Sequence, residues 1–390
     1  MTQEVRILAH RSAARIIDSE LTRRGFLAAS GAAGLAAVLA ACSPAGSKAA
    51  PAATGGKLEN QLSMYSWGDY DAPDVLKAYT KTLGPTIKMS SFGSNEEMIA
   101  KLVAAKGTSG YDIVVPTGVF IPQMVENKLL QKFNKDLIPN IKYMDPAFLG
   151  RQWDPDNEYS ICKAWGTTGF VYDKSVITRE LKTWNDFLDA AQNEASGKTS
   201  MLDDPAELTG VYFWANGIDW NTTDKKQLDA AEEFLVNKLA KHVSAFNSYP
   251  GSDAIPQSSQ ALIHVWNGDA RQGMMTSKEP DKWQWVLGAP NTELWMDNWA
   301  IAAGAPHPEA AHAFINYVLT PENALKEVDY IGYHTGAKDI QTEAEKAKME
   351  KLDMVFFTPE QLQTMHTGQV TEAQARIVDI YNKMKAAAGA

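Results

Sequence analysis

Aromatic side chains recur beside carboxylates along this chain, and the recurrence predicts a site for an organic cation. Five such groups stand at the ends of predicted strands and helices: Trp67-Gly68-Asp69-Tyr70, Asp203-Asp204-Pro205-Ala206-Glu207, Trp266-Asn267-Gly268-Asp269, Trp295-Met296-Asp297 and Tyr330-Ile331-Gly332-Tyr333. The second has acids without Trp, and the last has aromatics without an acid. Trp and Tyr faces attract ammonium groups, contributing about 0.5–2 kcal/mol per contact, and carboxylates form charge-assisted hydrogen bonds with them. A single Trp beside an Asp equally fits a core aromatic next to a helix cap, so it is the repetition that favours a binding site.

Several common types of active site are absent from the sequence. It has no phosphate-binding loop, no glycine-rich dinucleotide fingerprint, no HExxH or GxSxG motif and no cysteine–histidine cluster. The seven histidines include His264, His307, His312 and His334, and none stands at a spacing typical of a metal ligand. We therefore expect no cofactor and no metal, and we interpret the histidines as ordinary surface or core residues.

The first 41 residues have the pattern of an export signal. Arg23-Arg24 precedes an uncharged stretch from Gly25 to Ala41, which is short and weakly hydrophobic for a stable membrane span. The paired arginines resemble a twin-arginine signal, and Leu39-Ala40-Ala41-Cys42 resembles a lipoprotein box. This resemblance implies that Cys42 is lipidated and becomes the first residue of an exported, membrane-attached protein. An uncleaved anchor helix with a chance cysteine is the alternative.

Composition and charge narrow the number of domains and the kinds of partner. Residues 42–57 are rich in Ala, Gly and Ser and predict a flexible tether, and the remainder is long enough for about two domains. The chain is 45% apolar and carries a formal net charge of −10. An acidic surface argues against nucleic acid and mildly favours cationic partners. Only Cys162 follows Cys42, so we expect no internal disulfide and interpret Cys162 as a small buried residue.

Strands and helices alternate in the segment after Leu58. Strands are predicted at Leu62–Ser66, Thr86–Ser90 and Tyr111–Val115. A helix is expected from Pro73, with Asp71 as a plausible N-cap, to the stop at Gly84, and Ser94–Glu97 has the spacing of a capping box. Such alternation predicts a largely parallel sheet with helices on both faces.

A second α/β region follows the first. Its predicted helices are Trp184–Ala195, Lys225–Leu239, Pro308–Leu319 and Thr371–Ala387. Its predicted strands are Gln260–Val265, Trp283–Leu287 and Asn298–Ala302. Open α/β sheets bind ligands at the carboxyl ends of their strands, so two such domains would face each other across a cleft.

Eight short stretches, taken in order, carry a resemblance to a known family: Tyr65–Tyr70, Ser94–Glu96, Tyr111–Pro116, Asp154–Asn157, Ala164–Thr167, Trp266–Gly268, Trp295–Asp297 and Ile331–Tyr333. Together they resemble the spermidine/putrescine-binding proteins of ABC-type importers. The resemblance implies an α/β fold, a two-lobe periplasmic-binding-protein (type II) clamp with mixed sheets and crossing hinge strands. It places residues 58–164 and 297–335 in one lobe and residues 165–296 and 336–390 in the other.

The resemblance also implies how the ligand is held. An aromatic box would be formed by Trp67, Tyr70, Trp266, Trp295 and Tyr333. Asp204 and Glu207 match carboxylates that hold one end of the polyamine, and Asp297 matches an acid that grips an amino group nearer the other end.

The resemblance also covers positions at which members of the family differ from one another or from this chain. Asp269 matches an acid found in putrescine-type relatives, and Asp69 stands where Glu or Ser occurs. Thr117 stands where a hydroxyl residue commonly lines the pocket, and Gln369 is the candidate for a glutamine near the last helix. Val119 departs from an aromatic position of the family, which implies a wider pocket.

The expected function is therefore that of a lipid-anchored binding protein in the periplasm or at the cell surface. It would act as a monomer, capture putrescine or spermidine without any enzymatic step, and deliver it to an ABC-type permease. A clamp for another organic cation or an opine-like solute is an alternative, as is a receptor that serves sensing. A secreted glycosidase is a further alternative, because Trp platforms with paired acids also occur in such enzymes. The sequence leaves the preferred polyamine open.

Overall fold

The computed structural model describes residues 52–107 and 109–390, and these ranges form a mixed α/β structure. The strands are β1 (Gln61–Trp67), β2 (Thr86–Phe92), β3 (Ile113–Val114), β4 (Leu130–Gln131), β5 (Ile161–Asp173), β6 (Thr199–Leu202), β7 (Val243–Asn247), β8 (Leu262–Trp266), β9 (Trp283–Leu287), β10 (Thr292–Ala302) and β11 (Met365–His366). The helices are α1 (Pro73–Leu83), α2 (Asn95–Ala105), α3 (Ile121–Glu126), α4 (Trp184–Gln192), α5 (Pro205–Ala215), α6 (Lys225–Phe234), α7 (Asn267–Thr276), α8 (Pro308–Val318), α9 (Pro321–Ile331), α10 (Ile340–Lys346), α11 (Pro359–Leu362) and α12 (Gln374–Ala388). Shorter 3₁₀ turns occur at Gly118–Phe120, Lys135–Leu137, Pro139–Tyr143, Pro146–Phe148, Ala240–His242, Pro280–Lys282 and Leu352–Met354, and a π turn spans Leu235–Leu239.

Some of the predicted features precede these ranges. The export signal, Cys42 and residues 43–51 of the predicted tether lie outside the described residues. Within residues 52–107 and 109–390, no helix is both long and apolar enough to cross a membrane.

The first hydrophobic core surrounds parallel strands. β1 pairs in parallel with β2 on one side and with β3 on the other, and its central residues Leu62–Ser66 are buried, which confirms the predicted strand. α1 begins at Pro73 and ends before Gly84, as predicted. Its N-cap is Ala72 and not Asp71, so that prediction was wrong, because the Asp71 carboxylate is buried in an ion pair.

The predicted capping box at the start of α2 is only half formed. Ser94 Oγ accepts the N–H of Glu97 at 3.2 Å, but the Glu97 carboxylate accepts the N–H of Gly93 at 2.9 Å instead of that of Ser94. Glu96, in the same turn, is buried and faces the space between the two halves of the molecule.

A second hydrophobic core is built on another group of strands. β6 lies between β7 and β8 and is parallel to both, while β5 runs antiparallel to β8 and β9. β8 and β9 confirm the strands predicted there. Ile377, Ile380 and Met384 of α12, the terminal helix predicted at Thr371–Ala387, are buried in this core. We call the parts built on the two cores the first and the second lobe.

Two long strands connect the lobes. β5 and β10 pair antiparallel from Leu294 opposite Thr167 to Trp299 opposite Ile161. Beyond that pairing β10 continues against β3, and β5 continues against β8. β10 therefore begins six residues before the predicted strand at Asn298. Its register shifts between Asp297 and Asn298, and such a bulge re-aims neighbouring side chains.

The segment after residue 335 contacts both lobes. α10 packs on α9 of the first lobe in a cluster that includes Val328, Ile340 and Val355. Farther along, the carbonyl of Met354 accepts a hydrogen bond from the Asn267 amide of the second lobe at 2.8 Å. The division expected from the sequence assigns this whole segment to the second lobe.

The last residues of the predicted tether are bound to the first lobe. The N–H groups of Thr54, Gly55 and Gly56 donate to the carboxylate of Glu309 at 2.7, 3.2 and 3.1 Å. Glu309 stands in the first turn of α8, and Ala53 is buried. The flexible segment predicted to reach residue 57 is therefore held from residue 53 onward.

Candidate functional site

A cleft between the lobes brings together eleven of the twelve predicted ligand-binding residues. They line a cavity of about 110 Å³: Trp67, Tyr70, Thr117, Asp204, Glu207, Trp266, Asp269, Trp295, Asp297, Tyr333 and Gln369. The twelfth, Asp69, is exposed in the turn after β1, with a φ of 53°, and does not line the cavity. The cavity lies beyond the carboxyl ends of β1, β6 and β8, where open α/β sheets bind ligands.

Aromatic rings from both lobes meet along the cavity. Trp67 of the first lobe and Trp266 of the second contact edge to face, with ring centroids 6.2 Å apart. Trp295 and Tyr333 form a second edge-to-face pair at 4.8 Å, and Tyr70 contacts Tyr333 at 5.7 Å. Because these rings hold one another, an entering cation meets ring faces that are already oriented.

Asp297 lies at the bulge of β10 and is held by a hydroxyl group. Thr117 Oγ1 donates to Asp297 Oδ1 at 2.7 Å, and the Asn95 amide donates to the same hydroxyl at 2.9 Å. Burial raises the pKa of Asp297 to about 7, although the hydrogen bond from Thr117 and the charge of Lys163 lower it. A cation in the cavity would stabilise the charged form of this carboxyl group.

Asp269 stands in the first turn of α7 and is paired with Tyr333. The Tyr333 hydroxyl donates a short hydrogen bond to Asp269 Oδ2 and accepts the N–H of Asp269 at 3.2 Å. Burial raises the pKa of Asp269 to about 6, and the charge of Asp69 raises it further. Asp69 thus acts on the electrostatics of Asp269 from outside the cavity wall.

Asp204 and Glu207 lie at the start of α5. Asp204 is the N-cap, and its Oδ1 accepts the N–H groups of Ala206 and Glu207 at 2.9 and 3.0 Å. Glu207 Oε1 accepts the indole N–H of Trp266 at 2.5 Å and the Thr168 hydroxyl at 2.8 Å. Burial raises the pKa of Glu207 to about 7 and also raises the pKa of Asp204.

The cavity is also lined by two carboxyl groups that were not predicted from the sequence, those of Glu96 and Glu293. Glu293 precedes Trp295 and Asp297 by two and four residues, so the period-two pattern of a strand places all three on one face and could have identified it. Glu96 Oε1 accepts the side-chain amide of Gln374 at 2.9 Å, 278 residues away in the chain. No local sequence pattern marks a contact of that range.

Aromatic residues missed by the sequence analysis also line the cavity. Phe120 is adjacent to Val119, so the side of the pocket expected to be wider contains an aromatic one position later. Trp220 and Tyr249 extend the wall on the second lobe. The Tyr249 hydroxyl donates to the carbonyl of Phe92 at 3.2 Å, a further hydrogen bond that joins the lobes.

The charge of the cavity wall is one-sided. Six carboxyl groups line it, and none of the lining residues in the described ranges is Lys or Arg: Glu96, Asp204, Glu207, Asp269, Glu293 and Asp297. Buried charges require a partner of opposite sign. Within the described residues, no group of His, Cys, Asp and Glu side chains is arranged to hold a metal ion. Carboxylates among aromatic faces are suited to an organic cation.

The chain is similar to known proteins over most of its length. A family described as bacterial extracellular solute-binding protein matches residues 74–354. The spermidine/putrescine-binding periplasmic protein of Escherichia coli (strain K12) is 33% identical over 277 residues, which cover 71% of this chain and 77% of that protein. The spermidine/putrescine-binding periplasmic protein 1 of Haemophilus influenzae is 30% identical over 313 residues, covering 80% and 84%. A solved structure of a spermidine/putrescine ABC transporter substrate-binding protein from Streptococcus pneumoniae has a TM-score of 0.68 at 26% identity, covering 85% of this chain and 100% of that chain.

Proposed function

The chain belongs to the bacterial extracellular solute-binding proteins, and on this premise we propose that it captures a polyamine, putrescine or spermidine, and delivers it to an ABC-type importer. The fold expected from the sequence, a two-lobe α/β clamp of the type II periplasmic-binding-protein kind, is confirmed. The family is a class of exported solute-binding proteins and not a class of enzymes.

One observation supports a polyamine most directly. The cavity combines six carboxyl groups and several aromatic rings with no basic side chain among the described lining residues. A polyamine carries ammonium groups separated by methylenes, so its charges match the carboxylates and its methylenes match the ring faces. A neutral sugar or an anionic solute would leave the carboxylates unpaired, at a cost in free energy.

The predicted residues are assigned to different parts of the ligand. Asp204 and Glu207 hold one ammonium end, and Asp297 holds an amino group farther along. Asp269 adds an acid beside the aromatic box, which Trp67 and Trp266 close from the two lobes. In this assignment Glu96 and Glu293 supplement the carboxylates that the sequence predicts.

Capture would close the lobes about the crossing strands. The lobes would comprise residues 58–164 with 297–335 and residues 165–296 with 336–390, and β5 and β10 would bend between them. Hydrogen bonds between the lobes support a closed form, among them those from Tyr333 to Asp269, from Gln374 to Glu96 and from Tyr249 to the carbonyl of Phe92. The closed form would be presented to the permease without any covalent step.

The site of action follows from the leader sequence. We propose that the protein is a monomer that a lipid on Cys42 attaches to the outer face of a membrane, within reach of its permease. Detection of diacylglyceryl-modified Cys42 by mass spectrometry in membrane fractions would support this, and recovery of the soluble, unmodified protein would contradict it.

A polyamine derivative that also carries a hydrogen-bond acceptor is a second candidate. The indole N–H groups of Trp220 and Trp295 are buried in lining residues and have no acceptor within the described ranges. An acetylated polyamine or an opine-like cation could supply one. A comparison of thermal shifts for free and N-acetylated putrescine would separate the two candidates.

The function is tested by titration calorimetry of the full chain with putrescine, cadaverine, spermidine and spermine. We expect micromolar or tighter binding, about −8 kcal/mol or stronger, of at least one amine. The uncharged diol 1,4-butanediol, with the carbon chain of putrescine, is the matched control ligand and should give no binding heat. Silence with all four amines would contradict the polyamine and leave the family and the fold unchanged.

A further inference from the structure

Glu207 and Glu293 bring two carboxyl groups together inside the cavity. Glu293 on β10 precedes Leu294, which pairs with Thr167 of β5. The next residue of β5, Thr168, donates its hydroxyl hydrogen to Glu207 at 2.8 Å. The crossing strands thus place Glu293 beside Glu207, and the two carboxyl groups are within hydrogen-bonding reach of each other.

The second oxygen of Glu207 has no other donor. Oε2 is buried without a hydrogen-bond partner in the described ranges and lies 3.7 Å from His264 Nε2. His264 Nδ1 accepts the N–H of Leu202 at 3.4 Å, and burial lowers the pKa of His264 to about 3, so the ring is neutral. No cation is therefore available to Glu207 from the β8 side.

The other charged groups around this pair are also acidic. Asp204 faces both carboxyl groups from the start of α5, and Asp297 faces Glu293 from the same strand. Glu96 of α2 in turn faces Asp204. Lys163, a buried cation whose charge acts on Asp297, is paired with Asp71 and Glu327 outside the cavity wall.

Two carboxyl groups in contact cannot both be ionised in such a place. Repulsion makes the pair share one proton, as two carboxylates that occupy one site do. Burial and the charge of Glu207 raise the pKa of Glu293 well above its ordinary value. The pair therefore holds its last proton more tightly than an isolated carboxyl group does.

We propose that Glu293 is a specificity-determining residue that shares one proton with Glu207 in the empty cavity and gives it up when an ammonium group of the ligand binds there. The inference rests on the proposed function, because the polyamine supplies the displacing charge. One proton leaves a carboxyl O–H for the solvent, and one positive charge enters on a ligand nitrogen. A ligand with a neutral polar end cannot replace the proton, so the pair selects for a charged end. Affinity should also rise with pH, because the competing proton becomes scarcer.

The test is titration calorimetry of the full chain at one neutral pH in phosphate and in Tris, two buffers that differ in ionisation enthalpy. Putrescine and spermidine are the probes. The dependence of the binding heat on the buffer gives the number of protons released. Glu293→Gln keeps the size of the side chain and its hydrogen bond to Glu207 but removes the shared proton, so the release should fall by about one proton. Glu360→Gln, on the exposed surface of α11, is the matched control and should leave it unchanged.

The outcomes separate this inference from the proposed function. Binding by the Glu293→Gln variant with the same proton release as the wild type would overturn the inference, since another carboxyl group would then be the source. If that variant does not fold, the wild type alone decides: a polyamine affinity that stays constant from about pH 6 to about pH 8 overturns the inference. Absence of any binding heat with putrescine and spermidine overturns both, and it differs visibly from binding that is insensitive to the buffer.

Discussion

The buried ion group around Lys163 and the carboxyl groups of the cavity are built from the same kinds of residue. In the first, Lys163 Nζ lies 2.9 Å from Asp71 and 3.3 Å from Glu327, and all three side chains are at most 3% exposed. The ammonium group also lies 4.6 Å from the ring centre of Tyr70 and 4.3 Å from that of Trp299. A cation among carboxylates and aromatic rings is thus already present in the fold.

The cavity has the carboxylates and the rings but no such cation among its described lining residues. Tyr70 is shared by the two groups, because its ring lies next to Lys163 and also lines the cavity. The difference indicates that the Lys163 group is complete within the chain, whereas the cavity needs a charge from outside. It predicts that substitutions in the first group affect folding and that substitutions in the second affect binding.

Removal of the internal cation should have the largest effect. Lys163→Met keeps the length of the side chain but leaves Asp71 and Glu327 buried without a partner, so we expect the free energy of unfolding to fall by about 3–5 kcal/mol. A urea titration followed by tryptophan fluorescence measures it. Lys326→Met, which breaks the surface pair with Glu322, should cost less than about 1 kcal/mol. Equal losses in the two variants would contradict the comparison.

Removal of a cavity carboxylate should weaken binding and leave stability unchanged. Asp297→Ala should lower polyamine affinity about tenfold or more, because one charge-assisted contact is lost. The free energy of unfolding of the empty protein should not fall. Calorimetry gives the affinity, and thermal unfolding of the empty protein checks the fold. Asp281→Ala, on an exposed turn, should bind like the wild type. Unchanged binding in a folded Asp297→Ala protein would exclude Asp297 from the site.

Removal of an aromatic face should weaken binding by a similar or smaller amount. Trp266→Ala removes both a ring face and the N–H donor of Glu207, so we expect an affinity loss of about tenfold, within the range of a desolvated cation–π contact. Trp266→Phe retains a ring and should recover part of the loss in the same calorimetric titration. If the two variants bind alike, the ring face does not contribute.

A change of pH sharpens the comparison without a substitution. The pKa values of Asp297 and Glu207 are raised to about 7 in the folded protein, so the empty fold keeps protons that the unfolded chain releases. Its free energy of unfolding should therefore fall as the pH rises from about 5 to about 7. Putrescine should reverse the trend, because its charge replaces the protons. Thermal unfolding at both pH values, with and without putrescine, tests this, and an empty protein that gains stability would contradict it.

Local patterns predicted the elements that local interactions determine. The limits of α1 follow from Pro73 and Gly84, and β1 follows from a short apolar run. The first six residues of β10 were not predicted as a strand, because their partners are distant in the chain: Thr292 and Glu293 pair with β11, and Leu294 to Asp297 pair with β5. Asp71 was assigned to a helix cap because its pairing with Lys163 depends on the folded chain.

The site divides in the same way. The aromatic and acidic groups at element ends predicted nine of the residues that the fold gathers, the resemblance added Thr117 and Gln369, and the alternation of β10 would have added Glu293. Asp69 was misplaced because the turn after β1 directs it outward. Glu96 and Gln374 meet only across the two lobes, and no spacing in the sequence encodes that contact. Their roles in binding remain predictions.

The grip of Glu309 on Thr54, Gly55 and Gly56 has a mechanical consequence. Any pull along the N-terminal segment enters the molecule at the start of α8, on the first lobe. In the proposed closure, an attachment through the N-terminal segment would therefore keep the first lobe in place, and the second lobe would swing as the crossing strands bend. Ligand binding would then move the second lobe, while the first lobe would keep its distance from whatever holds the N-terminal segment.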